Sequence, residues 1–197
     1  MNIPTGMIKI GHWTYCKEAE NLKITKTIII FMLSVLLLSA CNSASFKEES
    51  KATINTVKTT FTEKVNKPNK RSGKIRFYLP SGYNIKEQSL NNIILQNGSD
   101  TYILFINPQE ASSSEVVYQS TVEQYKKLET NEKFSNRENK VGFLTIKQLK
   151  EDSLNEVTIG VGGAKITTQI KTSDMNADSK TMMQIVNSVE YPTETKE

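Results

Sequence analysis

Gly160-Val161-Gly162-Gly163-Ala164-Lys165-Ile166-Thr167-Thr168-Gln169-Ile170-Lys171 is the stretch that decides the fold. From Ala164 onward, Ala, Ile, Thr and Ile alternate with Lys, Thr, Gln and Lys. That two-residue period belongs to a strand with one buried face. Gly162-Gly163 interrupts the pattern just before it, and a glycine pair suits the positive φ of a tight hairpin. Residues 160–163 superficially resemble a phosphate loop, but such a loop needs Gly-Lys-Ser/Thr opening a helix. Here a strand-like run follows, so the glycines read as a turn.

The pattern extends in both directions. Two further strands are expected near 140–149 and 155–161, and a helix over about 177–189 with Met182, Ile185, Val186 and Val189 on one face. Ser112-x-x-Glu115 has the form of a capping box. It predicts a helix to about Glu129, with Val117, Tyr118, Thr121, Val122, Tyr125 and Leu128 as its stripe. Ile93 to Leu95 and Tyr102 to Ile106 flank Asn97-Gly98-Ser99-Asp100, a hairpin signal. The second run is apolar at both parities, which predicts a central strand. Ile75, Phe77 and Leu79 share a face of an opening strand that Pro80-Ser81-Gly82 breaks. The order of elements predicts an α+β domain over residues 74–191. Its antiparallel sheet has about six or seven strands packed with two helices, and residues 192–197 form a disordered tail.

Leu79-Pro80-Ser81-Gly82-Tyr83 closing a short first strand, the mid-chain helix, and a last helix leading into Ser188-Val189 give a layout that resembles the PsbP-like domains. These occur in bacterial lipoproteins and in the extrinsic photosystem II subunit. The resemblance covers most of residues 74–191. It implies an accessory or assembly role and carries over no catalytic residue.

The front of the chain reads differently. Lys23 and Lys26 precede Ile28 to Leu38, eleven residues interrupted only by Ser34. As a helix these span about 16 Å, roughly half a bilayer core, which fits a signal-peptide h-region and not a membrane span. Leu38-Ser39-Ala40-Cys41 then resembles the lipobox of bacterial lipoproteins. That resemblance implies signal-peptidase recognition through Leu38, Ser39 and Ala40, cleavage after residue 40, and a diacylglycerol on the Cys41 thiol. Trp13, Tyr15, Cys16, Glu18 and Glu20 are out of place in a signal peptide, so a later start near Leu22 is expected.

Residues 41–73 are rich in Ser, Thr, Lys, Asn and Glu, a composition that reads as a flexible tether. The competing reading is a short amphipathic helix, because Ile54, Val57, Phe61 and Val65 recur at spacings of 3, 4 and 4. The 197-residue chain has a formal net charge of +4, unevenly placed: residues 41–74 carry +5 and residues 75–197 carry −3. The basic residues are not gathered on the folded part, which argues against a nucleic-acid partner. The basic stretch suits anionic lipid or wall polymer beside a single acyl anchor.

Chemistry is limited by what the segment after Cys41 lacks. It has no histidine, no second cysteine and no Ser-x-x-Lys. The usual serine triad, zinc sites built on Cys or His, and an internal disulfide are therefore excluded there. Paired carboxylates for glycoside hydrolysis remain the one catalytic alternative, but Glu151-Asp152, Glu129 and Glu132 read as solvated surface. Of the aromatics Phe77, Tyr78, Tyr83, Tyr102 and Phe105, most read as core, while Tyr78 and Tyr83 are candidate partner contacts. The expectation is a non-catalytic envelope lipoprotein without a cofactor, held by its lipid at the cell membrane outside the cytoplasm, with an envelope protein as partner. A small-ligand-binding lipoprotein is the alternative.

Overall fold

The computed structural model describes residues 45–150 and 153–190. The lipobox residues Leu38, Ser39, Ala40 and Cys41, the pair Glu151-Asp152 and the tail 192–197 lie outside the described residues. The fold is α+β. Helix α1 spans Phe46–Thr62. A two-stranded hairpin, β1 (Lys70–Ser72) and β2 (Ile75–Phe77), follows it. Then come β3 (Asn84–Gln88), β4 (Asn92–Asn97), β5 (Asp100–Ile106), α2 (Val116–Glu123), β6 (Thr130–Ser135), β7 (Val141–Gln148), β8 (Leu154–Val161), β9 (Ala164–Lys171) and α3 (Met175–Asn187). The large sheet is antiparallel throughout, in the order β3-β4-β5-β9-β8-β7-β6. Two meanders thus meet at the β5–β9 seam, and α2 carries the chain from β5 across to the far edge.

Register sets the core. Leu104, Ile166, Ile159 and Leu144 stand side by side on β5, β9, β8 and β7, and Tyr102, Thr168, Val157 and Ile146 form the next row. These rows face α1 and α3, which contribute Val57 and Phe61, and Met175, Met182, Met183, Ile185 and Val186, to one buried cluster. The opposite parity faces α2: Tyr118 packs on Phe143 at 5.4 Å between ring centres. Beyond the reach of α2 that face is open, and Ile103 on β5 is 46% exposed. β5 is central as its apolar run predicts, yet only its Tyr102, Leu104 and Ile106 side is covered.

The largest difference from the sequence reading is α1, which occupies what the composition marks as tether. Ser45 caps it with a complete capping box: its Oγ accepts from the Glu48 N–H, and the Glu48 carboxylate accepts from the Ser45 N–H at 3.1 Å. Val57 and Phe61 are buried and Ile54 is half-buried, so the 3- and 4-residue spacing marks a true inner face. The helix ends at Thr62, which leaves Val65 beyond it and exposed. Low hydrophobicity misleads because hydroxyls fill the rest of the interface. Ser50 and Thr130 hydrogen-bond at 2.8 Å in the interior, so these polar groups are buried with a partner. The sheet therefore carries three helices, not two.

The capping box expected at Ser112 does not form. α2 begins only at Val116, its N-cap Glu115 makes no side-chain cap, and its last residue is Glu123. Glu115 instead pairs with Lys133 at 2.8 Å. The Ser112 carbonyl accepts from the Val141 N–H at 2.9 Å, and its backbone lies against Gly162. The loop is docked on the β8–β9 turn before the helix can start. The opening strand also differs from expectation: β2 pairs with β1, not with the main sheet, and bridges to Glu190 through Arg76.

Candidate functional site

The sheet has two ends, and each carries a concavity. Ser50 meets Thr130 in the row of Tyr102, while Phe61 meets Phe134, which shares the row of Gly142, Val161, Ala164 and Ile106. α1 therefore runs from the Tyr102 end to the Ile106 end.

At the Ile106 end a cleft of about 400 Å³ opens between the β1–β2 turn and the β3–β4 turn. Ile75, Ile93, Ile106 and Pro108 supply apolar surface, and Lys74 and Leu90 also line it. Leu90 sits on the β3–β4 turn, 97% exposed. Three local devices fix this shape. Gly73 at φ +56 closes the β1–β2 turn, a backbone region that glycine enters without steric cost. The Ser72 hydroxyl donates to Gln88 at 2.5 Å and ties the hairpin to β3. The Asn69 side chain brackets the Leu79 backbone, donating to its carbonyl at 3.0 Å and accepting from its N–H at 2.8 Å.

At the Tyr102 end a polar hollow of about 460 Å³ is lined by Asp100, Lys171, Asp174 and Asp178 among others. The Tyr102 hydroxyl donates to Asp178 at 3.1 Å, and the Tyr83 ring packs on Tyr102 at 5.2 Å. Burial, and then the neighbouring Tyr83 and Asp178, push the Tyr102 phenol far up. It stays protonated and serves as a donor, not as a base or nucleophile. Burial also raises the Asp178 carboxyl; the Tyr102 hydrogen bond opposes this, and the charges of Asp100 and Asp174 add to it. The network pins α3 to the sheet. Among the described residues no group of three or more His, Cys, Asp or Glu is placed to hold a metal ion.

This carboxyl makes stability pH-dependent with a definite sign. A folded pKa above the unfolded one favours the folded state when the group is protonated, and that contribution is lost as pH rises through the folded pKa. The window opens near the ordinary value of 3.8 and extends upward. Asp178→Asn keeps an acceptor for Tyr102 and removes the titration. Its denaturation midpoint is expected to gain on the wild type as pH rises through this window, and parallel curves would contradict the assignment.

A third cluster lies under α2. Lys165 Nζ donates to Thr121 Oγ1 at 3.0 Å, and burial lowers its pKa while Glu156 opposes the shift. A lysine beside a hydroxyl has the form of a nucleophile and its base. Thr121 is only 1% exposed, however, and its hydroxyl is committed to the Val117 carbonyl at 2.6 Å. No substrate reaches it. Tyr125 hydrogen-bonds to Glu156, and its phenol is pushed up to about 12 by burial and then by that carboxylate.

The tyrosines expected as partner contacts are placed otherwise. Tyr83 is 8% exposed. Gly82 at φ +89 and the Tyr83 N–H bonded to the Pro80 carbonyl at 3.3 Å fold the chain back, so the ring enters the core against Tyr102. It is not a contact surface. Tyr78 is half-buried, with its N–H donating to Ser188 Oγ at 2.7 Å. Neither lines the cleft. The turns that bring Lys74, Ile75 and Leu90 together leave no periodic mark in the sequence; the one local signal is Leu90, an isolated Leu between polar neighbours.

No protein-family model matches the chain, and no curated protein matches it. Among solved structures it is similar to a protein of Bacteroides thetaiotaomicron VPI-5482, with 11% identity and a TM-score of 0.41. The match covers 63% of this chain and 47% of the other, so the chain spans about half the length of that protein. No helix among the described residues is long and apolar enough to cross a membrane.

Proposed function

We propose that this protein is an envelope lipoprotein, anchored by diacylglycerol on Cys41, whose domain is a non-catalytic binding module for another envelope protein. The observation that carries the reading is the spacing of Leu38-Ser39-Ala40-Cys41, directly after an eleven-residue apolar run and directly before the fold. Only Asn42, Ser43 and Ala44 separate Cys41 from Ser45, the cap of α1. Four residue steps reach at most about 14 Å. On this reading three residues, not thirty, lie between the lipidated cysteine and the cap of α1. An accessory role, as in the PsbP-like domains, agrees with polar clusters, Tyr102 with Asp178 and Lys165 with Thr121, that pin helices to the sheet.

Two measurements test this. Cys41→Ala is expected to move the protein from the membrane fraction to the medium; unchanged membrane retention would contradict the anchor. In-cell crosslinking of the tagged protein, read by mass spectrometry, is expected to give one dominant envelope partner that is lost with Cys41→Ala. A second reading, small-ligand binding, is favoured by the cleft, whose volume lies in the range of small-molecule sites. It would take over if no reproducible partner were found and a soluble ligand protected the protein against heat.

A further inference from the structure

We infer that the cleft between the β1–β2 and β3–β4 turns is the docking site of the module, and that it takes a large apolar side chain from an acidic segment of the partner protein. This deepens the binding-module reading and rests on it.

Residues 64–76 contain Lys64, Lys67, Lys70, Arg71, Lys74 and Arg76, and no acid. All six side chains are exposed. Among the described residues only Arg76 has an ion-pair partner, Glu190. The sequence after this segment is acidic in balance, and Lys70, Arg71, Lys74 and Arg76 make the hairpin a local basic patch. Such a patch steers and orients an acidic partner more than it holds one.

The floor beside this patch is apolar, built from Ile75, Ile93, Ile106 and Pro108. Leu90 stands at the rim, 97% exposed. A leucine this free of contacts gains nothing in the isolated domain and gains area when a partner covers it. An apolar floor within a polar rim, here Lys74 with Ser72, Gln88, Ser89 and Asn91, is the usual anatomy of a protein-binding hot spot. A polyanionic wall polymer would use the lysines and leave the apolar floor without a role.

The test selects binders from a displayed library of random twelve-residue peptides, using the protein purified in the form cells make it. Enriched peptides are then titrated singly. The expected peptides carry one large apolar residue flanked by Asp or Glu. Their affinity is expected to fall at least tenfold for Lys74→Glu and for Leu90→Asp, two exposed sites where neither change disturbs the core, as unchanged melting would verify. Raising the salt from 50 to 500 mM should weaken binding several-fold. No enrichment, or peptides that bind both variants as tightly as the wild type, would overturn the proposal. So would poly(glycerol phosphate) binding the protein through Lys74 while no peptide does. If in-cell crosslinking finds an envelope partner that both variants retain, the module stands and the cleft is not its site.

Discussion

A chain that begins at Gly73 is expected not to fold cooperatively, although it holds the whole large sheet and the other two helices. A chain that begins at Ala44 is expected to melt as one unit. The difference is chiefly α1; β1, the Asn69 bracket on Leu79 and the Ser72–Gln88 tie go with it. Its Val57 and Phe61 belong to the same buried cluster as Leu144, Ile146 and Met183. Phe61 meets Phe134 edge-on at 5.0 Å, and its carbonyl accepts from the Asn187 side chain at 3.2 Å. The Glu49 carboxylate accepts from the Asn176 N–H at 3.1 Å, and Lys58 pairs with Glu132 at 2.7 Å. Without the helix, the β6–β7 side of the sheet and one flank of α3 face water. Losing a buried phenylalanine side chain alone costs about 3–5 kcal/mol. Native stability is only about 5–15 kcal/mol, so removing the whole element takes most of it. Circular dichroism melts of the two chains decide the matter; a sharp transition for the Gly73 chain would show that α1 is an accessory.

The second large effect is expected at one glycine. Gly162 has φ +53, and a Cβ there would stand 2.4 Å from both the Ala111 carbonyl oxygen and the Ser112 Cα. The obstacle is backbone and cannot rotate away. Gly162→Ala must push out the loop that precedes α2, and with it the Val141-to-Ser112 hydrogen bond. A loss above about 3 kcal/mol is expected, since strained conformation and overpacking add. Gly98→Ala is the control. It has φ +59 but nothing within 4 Å, so only the left-handed backbone term applies, about 1–2 kcal/mol. Urea denaturation of the two variants should differ clearly. Equal losses would mean that the loop does not press on the turn.

The same comparison shows where the sequence could be read and where it could not. The run Ala164–Lys171 alternates along its full length, and the strand has those bounds. Gly162-Gly163 and Gly98-Ser99 sit in hairpin turns, with Gly162 and Gly98 at positive φ. These elements are legible because a half-buried strand and a tight turn each leave a local signature. Two capping-box patterns, Ser45-x-x-Glu48 and Ser112-x-x-Glu115, look alike in sequence. The first forms, while the second is overridden because its serine backbone is recruited to the β8–β9 turn, a contact fifty residues distant along the chain. α1 was masked by Ser50, Thr53 and Thr60, hydroxyl residues that composition assigns to solvent and that packing buries. β6 is an edge strand with Phe134 as its one large apolar residue, so it has almost no hydrophobic signature. The cleft depends on a hydrogen bond between Ser72 and Gln88 and on two turns facing each other. No periodicity encodes that, and Tyr83, the more conspicuous residue, is drawn into the core by the glycine before it.

The claim on which the rest depends is that the chain carries its lipid on Cys41, immediately before a folded helix. The most direct measurement is the intact mass of the protein extracted from cell membranes, with its N-terminal peptide sequenced. The expected protein starts at Cys41, lacks residues 1–40, and is heavier than its residues by a thioether-linked diacylglycerol. A protein that begins elsewhere, or a Cys41 found as a free thiol, would contradict it.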